Sequence, residues 1–210
     1  MRSYLGISIV AFLMAGCGGG ATVSESQCVA GDWQTLGYRD GVRGYRSSQL
    51  LAHQDACVKH GVIPDRHGYR LGWEEGIREY CEPYSAFSIG EWGKGHNNVC
   101  PTDLRAEFIR AYQEGRSLYR ARVEVANLEK AIAQKANRLE QVKVAIVSTA
   151  TAQLNPELTT GQRVELFATT QRLNTERNRI KAEIPALENE LVLKARQLDA
   201  LNRSLVAVGS

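Results

Sequence analysis

His53, Cys57 and His60 are spaced four and three residues apart, so on a helix they share one face, with His67 close behind. Imidazoles and a thiolate at that spacing could ligate zinc or pair as nucleophile and base. An oxidised Cys57 would do neither, because a disulfide sulfur does not attack or coordinate as a thiolate does. The second residue with chemistry to offer is Cys17. Before it run a short segment with one cation, Arg2, and an apolar stretch over residues 5–14, closed by the small residues Ala15 and Gly16. That order is what an export-signal cleavage site requires. No Ser-His-Asp order, His-Glu-x-x-His or paired-carboxylate signature stands out elsewhere.

Met14-Ala15-Gly16-Cys17 resembles a bacterial lipobox, with Met where leucine is commoner. The resemblance implies a signal peptide over residues 1–16 and three acyl chains on Cys17. Such a chain is anchored to a membrane and does not span it, since the apolar run falls short of the ~20 residues a span needs. Gly18 stands where an aspartate would hold many lipoproteins at the inner membrane. By that analogy the address is the outer membrane, facing the periplasm. The alternative is an ordinary cleaved signal with an incidental cysteine. Residues 17–27 are small and polar and read as a lipidated N-terminus and flexible tether.

Setting Cys17 aside leaves Cys28, Cys57, Cys81 and Cys100, an even set that predicts two disulfides in an exported chain. Removing residues 1–16 deletes only Arg2, which lowers the formal charge from +3 to +2. A balance so close to zero gives no reason to expect nucleic acid as a partner. All tryptophans, histidines and cysteines precede residue 101, whereas the remainder is rich in Ala, Leu, Glu, Lys, Arg and Gln. This shift predicts two units, residues 28–115 and residues 116–210.

The front unit contains a repeat. Leu36-Gly37-Tyr38-Arg39-Asp40-Gly41-Val42-Arg43-Gly44-Tyr45 aligns without gaps on Leu71-Gly72-Trp73-Glu74-Glu75-Gly76-Ile77-Arg78-Glu79-Tyr80. A weaker third copy runs from Ala111 to Tyr119 and keeps Gly115. Glycine costs ~1 kcal/mol in a helix relative to alanine, so its recurrence at a spacing of four needs a cause. Gly37, Gly41, Gly72, Gly76 and Gly115 are read as bare faces on which another helix backbone sits closely. A phosphate-cradling loop would need a strand before the glycines and a Lys-Ser/Thr after them, and neither is present. Residues 90–95 resemble the repeat without its spacing and read as loop. The acids Asp40, Glu74, Glu75 and Glu114 are expected to face solvent.

Asp32 and Asp65 are placed to cap helices, and residues 47–60 read as a further helix ended by Gly61 and Pro64. If the first two helices form an antiparallel hairpin, Cys28 lies near Cys57. Cys81 then pairs with Cys100 across a glycine-rich loop. This is one of three possible connectivities.

From Leu118 onward apolar residues recur at coiled-coil spacing, with Lys135 and Thr149 as polar interruptions of the seam. Asn155-Pro156 breaks the run, and Thr159 with Gln162 offers a capping box for a restart. Pro185 lies inside the second run and is expected to kink or split it. The fold class that results is all-α: a small disulfide-stapled helical domain, then a long antiparallel coiled-coil hairpin. A single long helix pairing with a second molecule is the alternative.

Cys28, Asp32-Trp33, Gly37, Asp40-Gly41, Gly44, Ala56-Cys57, Gly72, Gly76, Tyr80-Cys81-Glu82-Pro83, Gly90, Gly93, Val99-Cys100-Pro101 and Gly115 together resemble the bacterial lipoprotein family catalogued as domain of unknown function 2799. The resemblance covers about residues 28 to 120. It brings no activity with it. The expected role is therefore a non-catalytic, membrane-anchored envelope protein, without cofactor or metal, whose hairpin meets an unidentified protein partner. A different class, a small-molecule or cell-wall binding module, would use Trp33, Tyr38, Trp73 and Trp92. A metal-dependent enzyme is the third and least favoured reading.

Overall fold

A computed structural model of the protein describes residues 23–208, so Cys17, the expected signal segment and the first part of the expected tether lie outside the described residues. Seven helices are described: α1 (Glu25–Ala30), α2 (Trp33–Val42), α3 (Gln49–Val58), α4 (Arg66–Tyr80), α5 (Pro83–Glu91), α6 (Thr102–Ala152) and α7 (Thr160–Val208). They form two compact units, one ending at Tyr80 and the other beginning at Cys81. The expected boundary at residues 115 and 116 falls inside α6, which runs unbroken because the third repeat copy and the hairpin share one helical register. The part of the expected tether before Cys28 is also partly ordered. Ser24 and Gln27 close a capping box that starts α1.

In the first unit Asp32 caps α2 by accepting from the Thr35 amide, and Asp65 accepts from the amides of His67 and Gly68 as α4 begins. The predicted α2–α3 hairpin is not formed. α2 instead packs along α4, while α3 is held to α1 by the Cys28–Cys57 disulfide. The reason lies in the glycines. A methyl at Gly41 would stand 2.6 Å from Ile77 N and 2.7 Å from Trp73 O, and one at Gly76 would overlap Tyr38 O. Only bare backbone permits that approach, and α3 carries no matching face.

The second unit repeats this device with α5 and α6. A methyl at Gly90 would lie 2.8 Å from Arg116 N, and one at Gly115 would lie 2.8 Å from Glu91 N. Residues 90–93 are therefore not loop, as expected, but the end of a fourth repeat helix and its turn. Gly41 corresponds to Gly90, Gly76 to Gly115, Trp73 to Tyr112 and Tyr80 to Tyr119. The agreement extends to the turns. Trp73 Nε1 donates to Tyr45 O at 2.8 Å, and the Tyr112 hydroxyl donates to Lys94 O at 3.0 Å. Each unit also has its own disulfide, Cys28–Cys57 and Cys81–Cys100, in the connectivity expected. Residues 24–119 thus hold two tandem versions of one glycine-faced helix pair, each with a disulfide between the segments that precede its two helices.

Beyond the second pair, α6 continues and packs against α7 as an antiparallel hairpin. Thr159 and Gln162 form the predicted capping box at its turn. Val142 and Ile180 are the seam residues buried most completely. The polar seam positions are matched across the hairpin: Lys135 pairs with Glu183, and the Thr170 hydroxyl donates to Thr149. Pro185 neither ends nor splits α7. It lies on the exposed side, as does Lys181 four residues earlier, so water can meet the carbonyl it leaves unpaired.

Candidate functional site

Three polar side chains meet inside the first unit, one from each of α2, α3 and α4. Asp40 Oδ2 accepts from His53 Nε2 at 2.7 Å and from the Tyr69 hydroxyl at 2.8 Å. Asp40 is 3% exposed, His53 1% and Tyr69 1%. The expectation that Asp40 faces solvent with Glu74, Glu75 and Glu114 is therefore corrected; those three are exposed, but α3 covers Asp40 and brings a donor to it. Burial, then the hydrogen bond to Asp40, pushes the Tyr69 hydroxyl far above the usual tyrosine range, so it stays a proton donor. An oxygen that already takes the tyrosine proton accepts from the ring as well, which places the imidazole proton on Nε2. His53 Nδ1 is left buried without a hydrogen-bond partner.

An aspartate orienting a histidine is half of a hydrolytic triad, but no hydroxyl or thiol reaches Nδ1. The second unit explains what the network is not. Aligned on the glycines, Asp40 corresponds to Ile89 and Tyr69 to Phe108. His96 sits edge-on to Phe108 at 5.3 Å between ring centroids, much as His53 sits to Tyr69 at 6.1 Å. The helix pair can therefore be built with apolar groups at these positions. The polar version is particular to the first unit, where it ties three helices through one carboxylate.

The candidate zinc face does not assemble. Cys57 is in a disulfide, His53 is turned to Asp40, and His60 lies beyond the end of α3 beside Glu25. Among the described residues no group of three or more His, Cys, Asp or Glu side chains is arranged to hold a metal ion. The four aromatics proposed to bind a ligand are also dispersed. Trp33 is buried in the core with Cys28, Leu36, Cys57 and Tyr69. Tyr38 donates to Glu79, Trp73 to the Tyr45 carbonyl, and Trp92 belongs to the second unit, where it is exposed. A mostly apolar cleft of about 450 Å³ does exist within the second unit, lined by Pro83, Tyr84, Phe87, Ala111, Leu201 and Leu205 together with the polar Glu114 and Ser204. None of the four predicted aromatics lines it.

The end of the hairpin is the surface sequence reasoning did not single out. Val144, Val147, Leu154, Val164 and Phe167 are all exposed there, Leu154 to 80% and Phe167 to 59%. Across residues 144–171 the charged side chains are Glu157, Arg163 and Glu165. Arg163 is occupied with the turn, donating to the carbonyls of Gln153, Asn155 and Pro156. By contrast residues 116–143 carry ten charges and residues 172–199 eleven. There the charges pair across the hairpin, as Arg138 does with Glu176 and Lys194 with Glu124.

Among the described residues no helix is long and apolar enough to cross a membrane. Residues 32–117 match a family model described as a protein of unknown function, DUF2799. The match takes in both glycine-faced helix pairs and stops where the hairpin leaves them. No curated protein and no solved structure matches the chain.

Proposed function

Starting from a chain whose residues 32–117 belong to the DUF2799 family, we propose a non-catalytic, lipid-anchored protein of the bacterial cell envelope that works by contact with protein. Cys17 is the lipid acceptor, and the outer membrane facing the periplasm is the address. Each of the tandem helix pairs is a rigid block. A disulfide and a backbone-close glycine face supply each with stability that a small core alone struggles to give. The hairpin is the working part. The observation that carries this reading is the change in surface along it, from paired charges on the shaft to an apolar, nearly uncharged end. Isolated exposed hydrophobics need no explanation, but a cluster at the end of a projecting element marks a contact surface.

The test is site-specific photo-crosslinking in intact cells. A photoreactive residue at Phe167 should give discrete protein adducts, and one at the exposed shaft position Lys181 should give few. Equal or absent adducts from both positions contradict the reading. A second reading rests on the cleft that Tyr84 and Phe87 line, whose mostly apolar walls with Glu114 and Ser204 suit a small, largely apolar ligand. Retained adducts at Phe167 in a Phe87→Asp variant would separate the two.

A further inference from the structure

The cleft of the second unit has a counterpart in the first. Aligned on the glycines, Pro83 corresponds to Gln34, Tyr84 to Thr35, Phe87 to Tyr38 and Glu114 to Glu75. Gln34, Thr35, Tyr38 and Glu75 line a concavity of about 240 Å³. The same groove beside the same helix pair therefore occurs twice. In the first unit its walls are polar, and the Tyr38 hydroxyl donates to Glu79. In the second, Phe87 has no hydroxyl to donate, and the buried Leu118 stands at the position of Glu79. Leu201, Ser204 and Leu205 of α7 add a further wall, and the volume rises to about 450 Å³.

Through this change from polar to apolar the carboxylate stays. Glu114 is the one charged side chain that lines the cleft. Among the described residues no ion pair or hydrogen bond engages its carboxylate. On a plain helix surface such an acid is simply solvated; at the edge of an apolar cleft it also selects among ligands. It repels fatty acids and other anions that the walls would otherwise suit. It attracts a cation, and the rings of Tyr84 and Phe87 favour a cation over a neutral group as well. The volume is that of a site for one small molecule.

We propose that the cleft binds a small organic cation, an apolar body carrying one ammonium group. The body lies against Phe87, Leu201 and Leu205, and the ammonium pairs with Glu114. This rests on the reading of the cleft as a ligand site and adds the charge of the ligand.

Isothermal titration of the full-length, detergent-solubilised protein tests it with three probes that differ only in their end group: phenylbutylammonium, phenylbutanol and phenylpentanoate. Heats of partition into detergent alone are subtracted. Ligands of about a dozen heavy atoms bind at about 1 mM. The ammonium should bind about tenfold tighter than the alcohol, and the carboxylate most weakly. Glu114→Gln should remove most of that preference without weakening the alcohol, and Glu114→Lys should turn it toward the carboxylate. Glu114 is exposed, so neither change should unfold the chain. Equal binding of the three probes to the wild type overturns the proposal, as does an ammonium preference that survives Glu114→Gln in full. If equal binding is lost in Phe87→Asp, the cleft still takes apolar ligands and only the charge selection is wrong. If no probe binds at about 10 mM, well above the expected range, the proposal and the cleft reading both fall.

Discussion

The ring of Tyr80 occupies the space that a side chain on Gly44 would need. A methyl at Gly44 would lie 2.8 Å from ring atom Cδ2 and closer still to Cε2 and Cζ. Gly44 also has φ +70, a left-handed conformation that side chains resist. Gly93 has φ +70 as well, and a methyl there would lie 2.5 Å from Cζ of Tyr119. A glycine just past the end of one helix and a tyrosine on its partner, the last residue of α4 in one case and within α6 in the other, therefore lock each pair, once per unit.

The glycine faces predict opposite signs for similar substitutions. Gly76→Leu must push α2 away, since even its β-carbon would meet Tyr38 O and stand 2.9 Å from Val42 N. Overpacking costs ~1–3 kcal/mol, more than the ~1 kcal/mol gained by leaving glycine in a helix. Gly115→Ala, against Phe87 O, should also destabilise. Gly161→Ala meets open space in the first turn of α7 and should stabilise by about 0.4–1 kcal/mol. Thermal melts of the three variants decide this, and a higher Tm for Gly76→Leu would refute close packing through the glycines.

The buried network should respond to single and combined changes in opposite ways. Asp40→Ala strands His53 Nε2 and the Tyr69 hydroxyl without an acceptor, and each such loss costs about 1–3 kcal/mol. Asp40→Ile with Tyr69→Phe takes the residues the second unit has at Ile89 and Phe108, and His53→Leu removes the donor that would be left over; together they should recover most of that loss, because apolar replacement of a whole polar network is often near neutral. Urea denaturation measures both. A triple variant less stable than Asp40→Ala would mean that the polar groups are needed for the fold itself.

The sequence revealed the first, second and third repeat copies because Gly37, Gly41, Gly72, Gly76 and Gly115 keep their spacing within an otherwise similar frame. The fourth was hidden. Ala86 replaces its first glycine, Ser85 its leading leucine, and its offset from the first copy is set by a different loop length. The pair Gly90 and Gly93 matching Gly41 and Gly44, three residues after the aromatic Phe87 as after Tyr38, was the signal that could have exposed it. The Asp40 network was not legible, because Asp40 aligns with the exposed Glu75 and Glu114 and its partners lie 13 and 29 residues away. The disulfides and hairpin were legible because cysteine parity and seam periodicity are local signals. Side-chain exposure at the hairpin end is not, since it depends on where the second helix stops covering the first.

Acid should loosen the hairpin. The hydrogen bond from Arg138 holds the Glu176 carboxyl below its usual range, and the one from Lys135 does the same to Glu183. A carboxyl depressed in the folded state contributes stability that is present above its unfolded value, about 4.3, and is lost as pH falls through the folded one. The melting temperature should therefore drop between about pH 6 and pH 3, a window that brackets those values, and Glu176→Gln should show a smaller drop than the wild type. An equal drop in both would remove this pair from the acid response.

Cys17 lies outside the described residues, and the proposed membrane anchoring rests on it. Mass spectrometry of the N-terminal peptide from membrane-extracted protein should find a chain beginning at Cys17 with acyl chains attached, and Cys17→Ser should shift the protein out of the membrane fraction. A chain cut elsewhere and unacylated, whose Cys17→Ser variant stays equally membrane-bound, would contradict the lipid-anchored envelope role.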